Sequence, residues 1–265
     1  MQDKRKETVL ETEKVKDMKI LAVIPARAGS KSVPHKNIRE IGGKPMLAHS
    51  IGHAQASKYI NRIIVSTDSR EYGEIAVKYG AEVPFIRPEE YATDTALDYD
   101  VFYHALSWLA DKENYMPDIV VQLRPTYPIR NARDIDNMIQ LLIEHPEADS
   151  VRSMVKATEI PYKMWLREKP FSDMKDGEAA ISDNRIVPLI TDIPECYNMP
   201  RQQLPEVYYQ NACIDVFRPE VVLHKHSMSG DYILGYEMKE NYDIDTEEDF
   251  ERAIKKMNNM PVEYL

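Results

Sequence analysis

A continuous apolar run, Ile20-Leu-Ala-Val-Ile24, broken at Pro25 and followed by a basic turn, constrains the fold more than any other stretch. Consecutive apolar residues without alternation read as a strand buried on both faces, and such strands belong to parallel sheets covered by helices. Pro25 has no N–H to give a central ladder, so the strand stops there. The turn that follows gathers Arg27, Gly29, Ser30, Lys31, Lys36 and Asn37 within eleven residues. Backbone amides and three fixed cations can converge there on one polyanion, and phosphate is the natural guess.

Helices and strands then alternate. Pro45 opens a helix that puts Leu47, Ser50/Ile51 and Ala54 on one face, and Arg62-Ile-Ile-Val-Ser-Thr67 is the next strand. Ser69 is placed to cap a helix running to Gly80, and Glu82-Val-Pro-Phe-Ile86 reads as a short strand near an edge, because Pro84 lacks a donor. A helix from Asp98 to Lys112 turns Val101/Phe102, Ala105 and Trp108/Leu109 inward. Asp118-Ile-Val-Val-Gln-Leu123 is another buried strand, after which Asn131 caps a helix over Asp134 to Glu144. This order predicts an α/β fold: a mostly parallel sheet, helices on both faces, and ligand loops at the carboxyl ends of the strands. Arg27, Lys31, Arg87 and Arg124 all fall at such ends.

From Met154 to Pro205 the pattern changes to Pro, Tyr and charged residues without long periodic runs, too long for a plain loop. We expect an excursion from the main domain here, β-rich and used to embrace a second subunit. Asp149 to Val155 leads into it as a strand, and Tyr209 to Phe217 returns to the sheet. Residues 1–17 read as a charged extension, leaving 18–265 as one domain with the excursion inside it. Tyr232 to Met238 is a further strand. Beyond it, alternation puts Asp243 and Asp245 on the same side of an extended segment, where two carboxylates could hold Mg²⁺ jointly with phosphate oxygens. Thr246 is placed to cap a final helix around Phe250 to Met257.

Charge and cysteine usage narrow the partners. With 34 Lys+Arg against 44 Asp+Glu the net charge is −10, which opposes nonspecific binding to nucleic acid or anionic membrane. Cys196 and Cys213 lack CxxC spacing, no secretory leader is visible, and no apolar run approaches the roughly 20 residues needed to cross a bilayer. A soluble cytoplasmic protein without a structural disulfide is expected. His224 and His226 lack a third ligand at zinc spacing. Ala28-Gly-Ser-Lys-Ser32 only faintly suggests a P-loop: Ser30 interrupts the Gly-Lys step and no Gly stands five residues before Gly29.

Ile24-Pro-Ala-Arg-Ala-Gly-Ser-Lys-Ser-Val-Pro-His-Lys-Asn37 resembles the signature of the acylneuraminate cytidylyltransferases (CMP-sialic acid synthetases). The likeness continues through Arg62 to Asp68, Arg87 to Ala96, Pro125 to Arg130, Pro200 to Pro205, Asn211-Ala and Asp243 to Thr246, covering about residues 19 to 256. The resemblance implies a Rossmann-like domain, a homodimer or tetramer, and a Mg²⁺-dependent reaction of CTP with an acidic nine-carbon sugar. It makes Arg27, Ser30, Lys31, Lys36 and Asn37 the nucleotide and triphosphate site, with Arg87, Ala96 and Asp98 near the cytosine and ribose. Asp243 and Asp245 become the metal pair, and Arg27, Lys31 and Asp245 the catalytic groups. Lys163, Arg201 and Gln202 match positions that meet the sugar, some of them from the dimer partner, and Asn211 lies beside the sugar pocket. Arg124 stands where the family has a sugar-contacting Gln, so an added cation could favour another acidic acceptor; Tyr127 stands for a Ser beside it.

Two further departures are Asp98 for a common Ser, where a carboxylate could accept from the cytosine amine or alter base preference, and Ser32 for Gly. The implied chemistry is in-line attack of the anomeric hydroxyl on the α-phosphorus, with pyrophosphate leaving. His35 has no identifiable partner in the sequence, so a metal-bound hydroxyl or water is expected to outrank it as base. Two alternatives stay open. One is the same chemistry on legionaminic or pseudaminic acid, an eight-carbon ulosonic acid or a phosphonate. The other is a catalytically silent nucleotide-binding protein.

Overall fold

The computed structural model describes residues 17–29, 33–167 and 185–260. Ser30, Lys31 and Ser32, and all but the last residue of the expected N-terminal extension, lie outside the described residues. The strands are β1 Ile20–Pro25, β2 Glu40–Ile41, β3 Lys44–Pro45, β4 Arg62–Ser66, β5 Ile119–Leu123, β6 Ser150–Lys156, β7 Trp165–Arg167, β8 Ile186–Pro188, β9 Tyr208–Phe217 and β10 Ile233–Glu237. Six of them form one sheet in the order β10-β6-β9-β5-β1-β4. β1 runs parallel to both β4 and β5, β10 runs parallel to β6, and β9 is antiparallel to β5.

β1 is buried as its composition demands. Ile20, Ala22 and Ile24 face one layer, packed with Leu47, Ile51, Tyr72, Ala76, Ile135 and Ile139 from the helices Met46–Gln55, Arg70–Lys78 and Ala132–Glu144. Leu21 and Val23 face the other, against Val101, Phe102, Ala105 and Leu109 of helix Asp98–Glu113 and Val222 of helix Pro219–Leu223. Each fully buried aliphatic side chain contributes about 1.5–3 kcal/mol, so a polar residue anywhere in β1 would be felt on one face or the other. Among the described residues, no helix is long and apolar enough to cross a membrane.

The helix starts follow their caps. Ser69 accepts from Tyr72 N–H, Asn131 from Arg133 N–H, and Thr246 from Asp249 N–H, whose carboxylate returns a bond to Thr246 N–H. A cap of this kind is worth about 1 kcal/mol. The expected strand at Glu82–Ile86 does not form: it is reduced to one parallel bridge, Ile64 to Glu82, because Pro84 has no N–H to extend the ladder.

The last helix, Glu247–Asn258, closes a small core of Ile41, Met46, Ile244, Phe250, Ala253 and Met257. Arg39 bonds Glu247 at 2.6 Å and lies 3.9 Å over the Phe250 ring, tying this helix to the segment after the first loop. Both Cys196 and Cys213 are free and buried.

The chain divides into two compact units, the second being Val155–Tyr209. Its described residues hold the two-stranded ribbon β7–β8 and three 3-10 turns, Pro161–Lys163, Cys196–Asn198 and Arg201–Gln203, around a small core of Ile160, Cys196 and Leu204.

Candidate active site

In the first unit, the carboxyl ends of β1 and β5, the segment after Glu82 and the stretch before the last helix enclose a cavity of about 540 Å³. Arg27, Lys36, Asn37, Arg87, Ala96, Asp98, Arg124, Asp243 and Asp245 all line it. The first loop is held from behind: Asn37 Nδ2 donates to the Arg27 carbonyl at 2.9 Å, and Ala28 N–H donates to Asp68 at 2.9 Å. Ile244 is buried in the core under the last helix, and its N–H donates to the Thr126 carbonyl at 3.0 Å. With Ile244 anchored inward, the aspartates on either side of it both border the cavity, as the alternation predicts.

Lys36 joins the two ends of the chain. Its Nζ donates to the Ile244 carbonyl at 2.9 Å and to Asp245 Oδ1 at 3.0 Å. The cation of the first loop and the C-terminal carboxylates therefore share one site.

Four cations, Arg27, Lys36, Arg87 and Arg124, face four carboxylates, Asp94, Asp98, Asp243 and Asp245. Three pairs form: Arg27 with Asp94 at 2.8 Å, Lys36 with Asp245, and Arg124 with Asp98. Arg87 and Asp243 are left over, without an ion-pair partner among the described residues. Arg87 is 3% exposed, and its Nε and Nη2 are buried without an acceptor. Burial pushes its pKa down, against the pull of Asp68. Asp243 Oδ1 is buried without a donor. Burial raises the Asp243 pKa, hydrogen bonds from Thr126 and Tyr127 oppose the rise, and the charge of Asp245 adds to it. An unsatisfied buried donor or acceptor costs about 1–3 kcal/mol, so these two groups are where a ligand gains most.

The leftover groups differ in sign. Arg87 suits an acceptor-rich group, and the Asp243 carboxylate suits a hard cation. Among the described residues no cluster of three or more His, Cys, Asp or Glu could hold a metal. Asp243 and Asp245 instead match an ion such as Mg²⁺, which is bound through one or two carboxylates and completes its shell with water and phosphate oxygens.

The sequence profile of the cytidylyltransferases matches residues 21–263. The chain belongs to the cytidylyltransferase family. It is 33% identical over 238 residues to the N-acylneuraminate cytidylyltransferase of Escherichia coli O18:K1:H7, covering 89% of this chain and 51% of that protein. It is 44% identical over 126 residues to the CMP-N,N'-diacetyllegionaminic acid synthase of Legionella pneumophila, covering 47% of this chain and 53% of that one. Each of these matches spans about half of the relative's own length. A solved CMP:2-keto-3-deoxy-manno-octonic acid synthetase complexed with CTP has the same fold, with a TM-score of 0.64 at 16% identity over 91% of this chain and 98% of that one.

Within this cytidylyltransferase cavity, two departures from the family pattern neutralise each other. Asp98 Oδ2 accepts from both Arg124 and Gln122 Nε2, so the added cation meets an added carboxylate and brings no net charge to the cavity. Tyr127 and Asn211 lie behind the cavity wall, not in it. Tyr127 is 1% exposed, and its hydroxyl donates to the Asn211 carbonyl. Asn211 is 2% exposed and accepts from Ser153 Oγ at 2.6 Å and Cys213 N–H at 3.2 Å. Of the substrate-side residues that the resemblance implies, these two sit beside the cavity with their polar atoms bonded within the first unit.

Thr93, Asp94, Thr126 and Ala212 line the cavity without having been singled out in the sequence. Asp94 had a signal, an acid in the polar stretch after Arg87. Ala212 had one in the Asn211-Ala pair of the resemblance, but nothing marked its backbone, which is left-handed at φ 55, a conformation that costs an alanine about 1–2 kcal/mol. His35 has a partner after all, Tyr72 Oη at 3.4 Å from Nδ1, and it does not line the cavity. The Tyr72 hydroxyl, its pKa pushed up to about 12 by burial and then by Glu71 and Asp68, stays protonated.

Lys163, Arg201 and Gln202 belong to the second unit. Lys163 ends the turn Pro161–Lys163, while Arg201 and Gln202 open another and line a cavity of about 280 Å³ within that unit. Arg201 Nη2 donates to the Ala157 carbonyl at 2.9 Å.

Proposed function

We propose that this chain transfers CMP from CTP to the anomeric hydroxyl of an acidic nonulosonic sugar, with release of pyrophosphate. The observation that carries this reading is the pair of unmet groups in one cavity, a buried guanidinium and a buried carboxylate oxygen, with Lys36 of the first loop bonded to the two residues that follow that carboxylate. Arg27 and Lys36, with Ser30 and Lys31 of the same loop, would receive the triphosphate, and Arg87, Ala96 and Asp98 the nucleoside. Asp243 and Asp245 would hold Mg²⁺, which when bound offsets charge on the phosphate oxygens. The hydroxyl oxygen forms a bond to the α-phosphorus as the bond to the β-phosphate bridging oxygen breaks, and the hydroxyl proton leaves to solvent. Preorganised cations at the oxygens that gain charge supply most of the rate.

In the first unit, the sugar side is assigned to Arg124; for Lys163, Arg201 and Gln202 the sugar role stays what the resemblance implies, some of them serving the dimer partner. A second reading keeps the chemistry and changes the acceptor to a legionaminic-type sugar, favoured by the 44% identity over half the chain. A pyrophosphate-release screen crossing the common nucleoside triphosphates with sialic, legionaminic, pseudaminic and eight-carbon ulosonic acids decides between them. Release is expected with CTP, one nine-carbon acid and Mg²⁺ together. Nucleotide binding without release for any acceptor would instead make the chain a silent binding protein.

We further propose that the second unit mediates a homodimer. Met164, Trp165, Leu166, Ile186 and Leu189 are exposed on it, more apolar surface than a small unit ordinarily shows to water. Sedimentation velocity should give a dimer, and a monomer at all concentrations would remove this role.

A further inference from the structure

A second cavity, of about 360 Å³, lies in the first unit and shares no lining residue with the catalytic one. Lys44, His49, His53, Arg130 and Arg133 stand in its wall, and no Asp or Glu does. In a chain of net charge −10, such a wall is a local inversion of the field.

Arg130 is the source of that inversion. It is 5% exposed, and among the described residues no carboxylate pairs with it. Its N–H groups go to uncharged partners: the Cys213 carbonyl at 2.8 Å, the Arg124 carbonyl at 2.9 Å, Ser50 Oγ at 3.2 Å, Cys213 Sγ at 3.4 Å and His53 Nδ1 at 3.5 Å, which leaves His53 Nε2 for a ligand. The hydrogen-bonding capacity of the guanidinium is met while its charge is not, and a buried charge lacking a counterion is costly.

The remaining wall is arranged to receive one. His49 and His53 are one turn apart on the same face of helix Met46–Gln55, and Gly52 beside them leaves open space: a Cβ added there would meet no atom within 4 Å. Burial holds the His53 pKa well below its usual value, and Arg130, His49 and Lys44 depress it further. Arg133 is exposed at the rim.

We propose that this cavity binds a phosphate-class oxyanion, orthophosphate or pyrophosphate, at a site separate from the catalytic cavity. Arg130 supplies the field from behind, and Lys44, His53 and Arg133 supply the contacts.

Calorimetric titration of the whole chain with pyrophosphate, and separately with orthophosphate, in metal-free buffer tests this. Arg27→Ala combined with Lys36→Met removes the cations proposed to receive the triphosphate in the catalytic cavity and should leave one class of site. In that background Gly52→Leu, which fills the cavity without touching a charge, and Arg133→Glu should each weaken the remaining class at least about tenfold. The His53 ring proton signals should move on adding either anion to the Arg27→Ala/Lys36→Met variant, and stay fixed once Gly52→Leu is added to it. Binding of either anion on these terms supports the site. Loss of all binding in the Arg27→Ala/Lys36→Met variant, or, in that background, unchanged stoichiometry in both Gly52→Leu and Arg133→Glu with unchanged melting temperatures, overturns it.

Discussion

Lys36→Met should lower kcat/KM for CTP-dependent pyrophosphate release by about 10²–10³-fold, the scale of losing one preorganised donor at a site of developing charge. Methionine keeps most of the stem and removes the ammonium. The Ile244 carbonyl then loses its 2.9 Å donor, and Asp245 loses the cation that holds it toward the first loop. Stability should fall modestly, by about 1–3 kcal/mol, because the carbonyl is left without a partner while the Asp245 side chain, 69% exposed, is rescued by water. The comparison to make is steady-state kinetics beside a melting curve. Wild-type turnover with a lowered melting temperature would reduce Lys36 to a structural tie.

Asp243→Asn should do the opposite to stability and the same to activity. Burial leads the rise in the Asp243 pKa, so the folded state binds that proton more tightly than the unfolded chain does. The associated stability is fully present below the unfolded pKa and is lost as pH rises through the raised folded value; at neutral pH the ionised carboxylate is therefore a burden on the metal-free fold. The amide, which needs no ionisation, should raise the metal-free melting temperature at neutral pH and leave it unimproved in acid. Mg²⁺-dependent turnover should meanwhile fall by at least about 10²-fold, and added Mg²⁺ with CTP should raise the melting temperature of the wild type and not that of the variant. A variant that is less stable at neutral pH and active at limiting Mg²⁺ would show that Asp243 is not a metal ligand.

How much of this was legible depended on the range of the interaction. The strands β1, β4 and β5 and the caps at Ser69, Asn131 and Thr246 are local, set by residues one to three positions apart, and they stand where the sequence put them. Glu82–Ile86 has strand composition on both sides of Pro84, but a ladder needs an N–H that composition does not register. The site was legible as a set of residue types and not as a set of pairs. Lys36 meets Ile244 across 208 positions, and Arg124 meets Asp98 across 26. Neither pairing has a spacing to read, so Arg124 looked like an added charge when it is half of a neutral pair. Tyr127 and Asn211 came from the resemblance alone, and a polar residue beside a strand end carries no mark of which way it points; both are buried, with Tyr127 donating to the Asn211 carbonyl. Arg130 lies in the Pro125 to Arg130 stretch that carries the resemblance, and its position behind the second cavity follows from its bonds to Ser50, Arg124 and Cys213, two of which are distant in the sequence.

The central claim is that the first-loop cations and the paired aspartates act on one metal-bridged triphosphate. Anomalous diffraction from crystals grown with CTP and Mn²⁺, an ion that takes the same oxygen ligands, locates the metal directly. The account predicts one strong peak in contact with a carboxylate oxygen of Asp243 or Asp245 and with CTP phosphate oxygens, the triphosphate lying along Arg27 and Lys36. A nucleotide bound elsewhere, or a metal on its phosphates that touches neither aspartate, would contradict it.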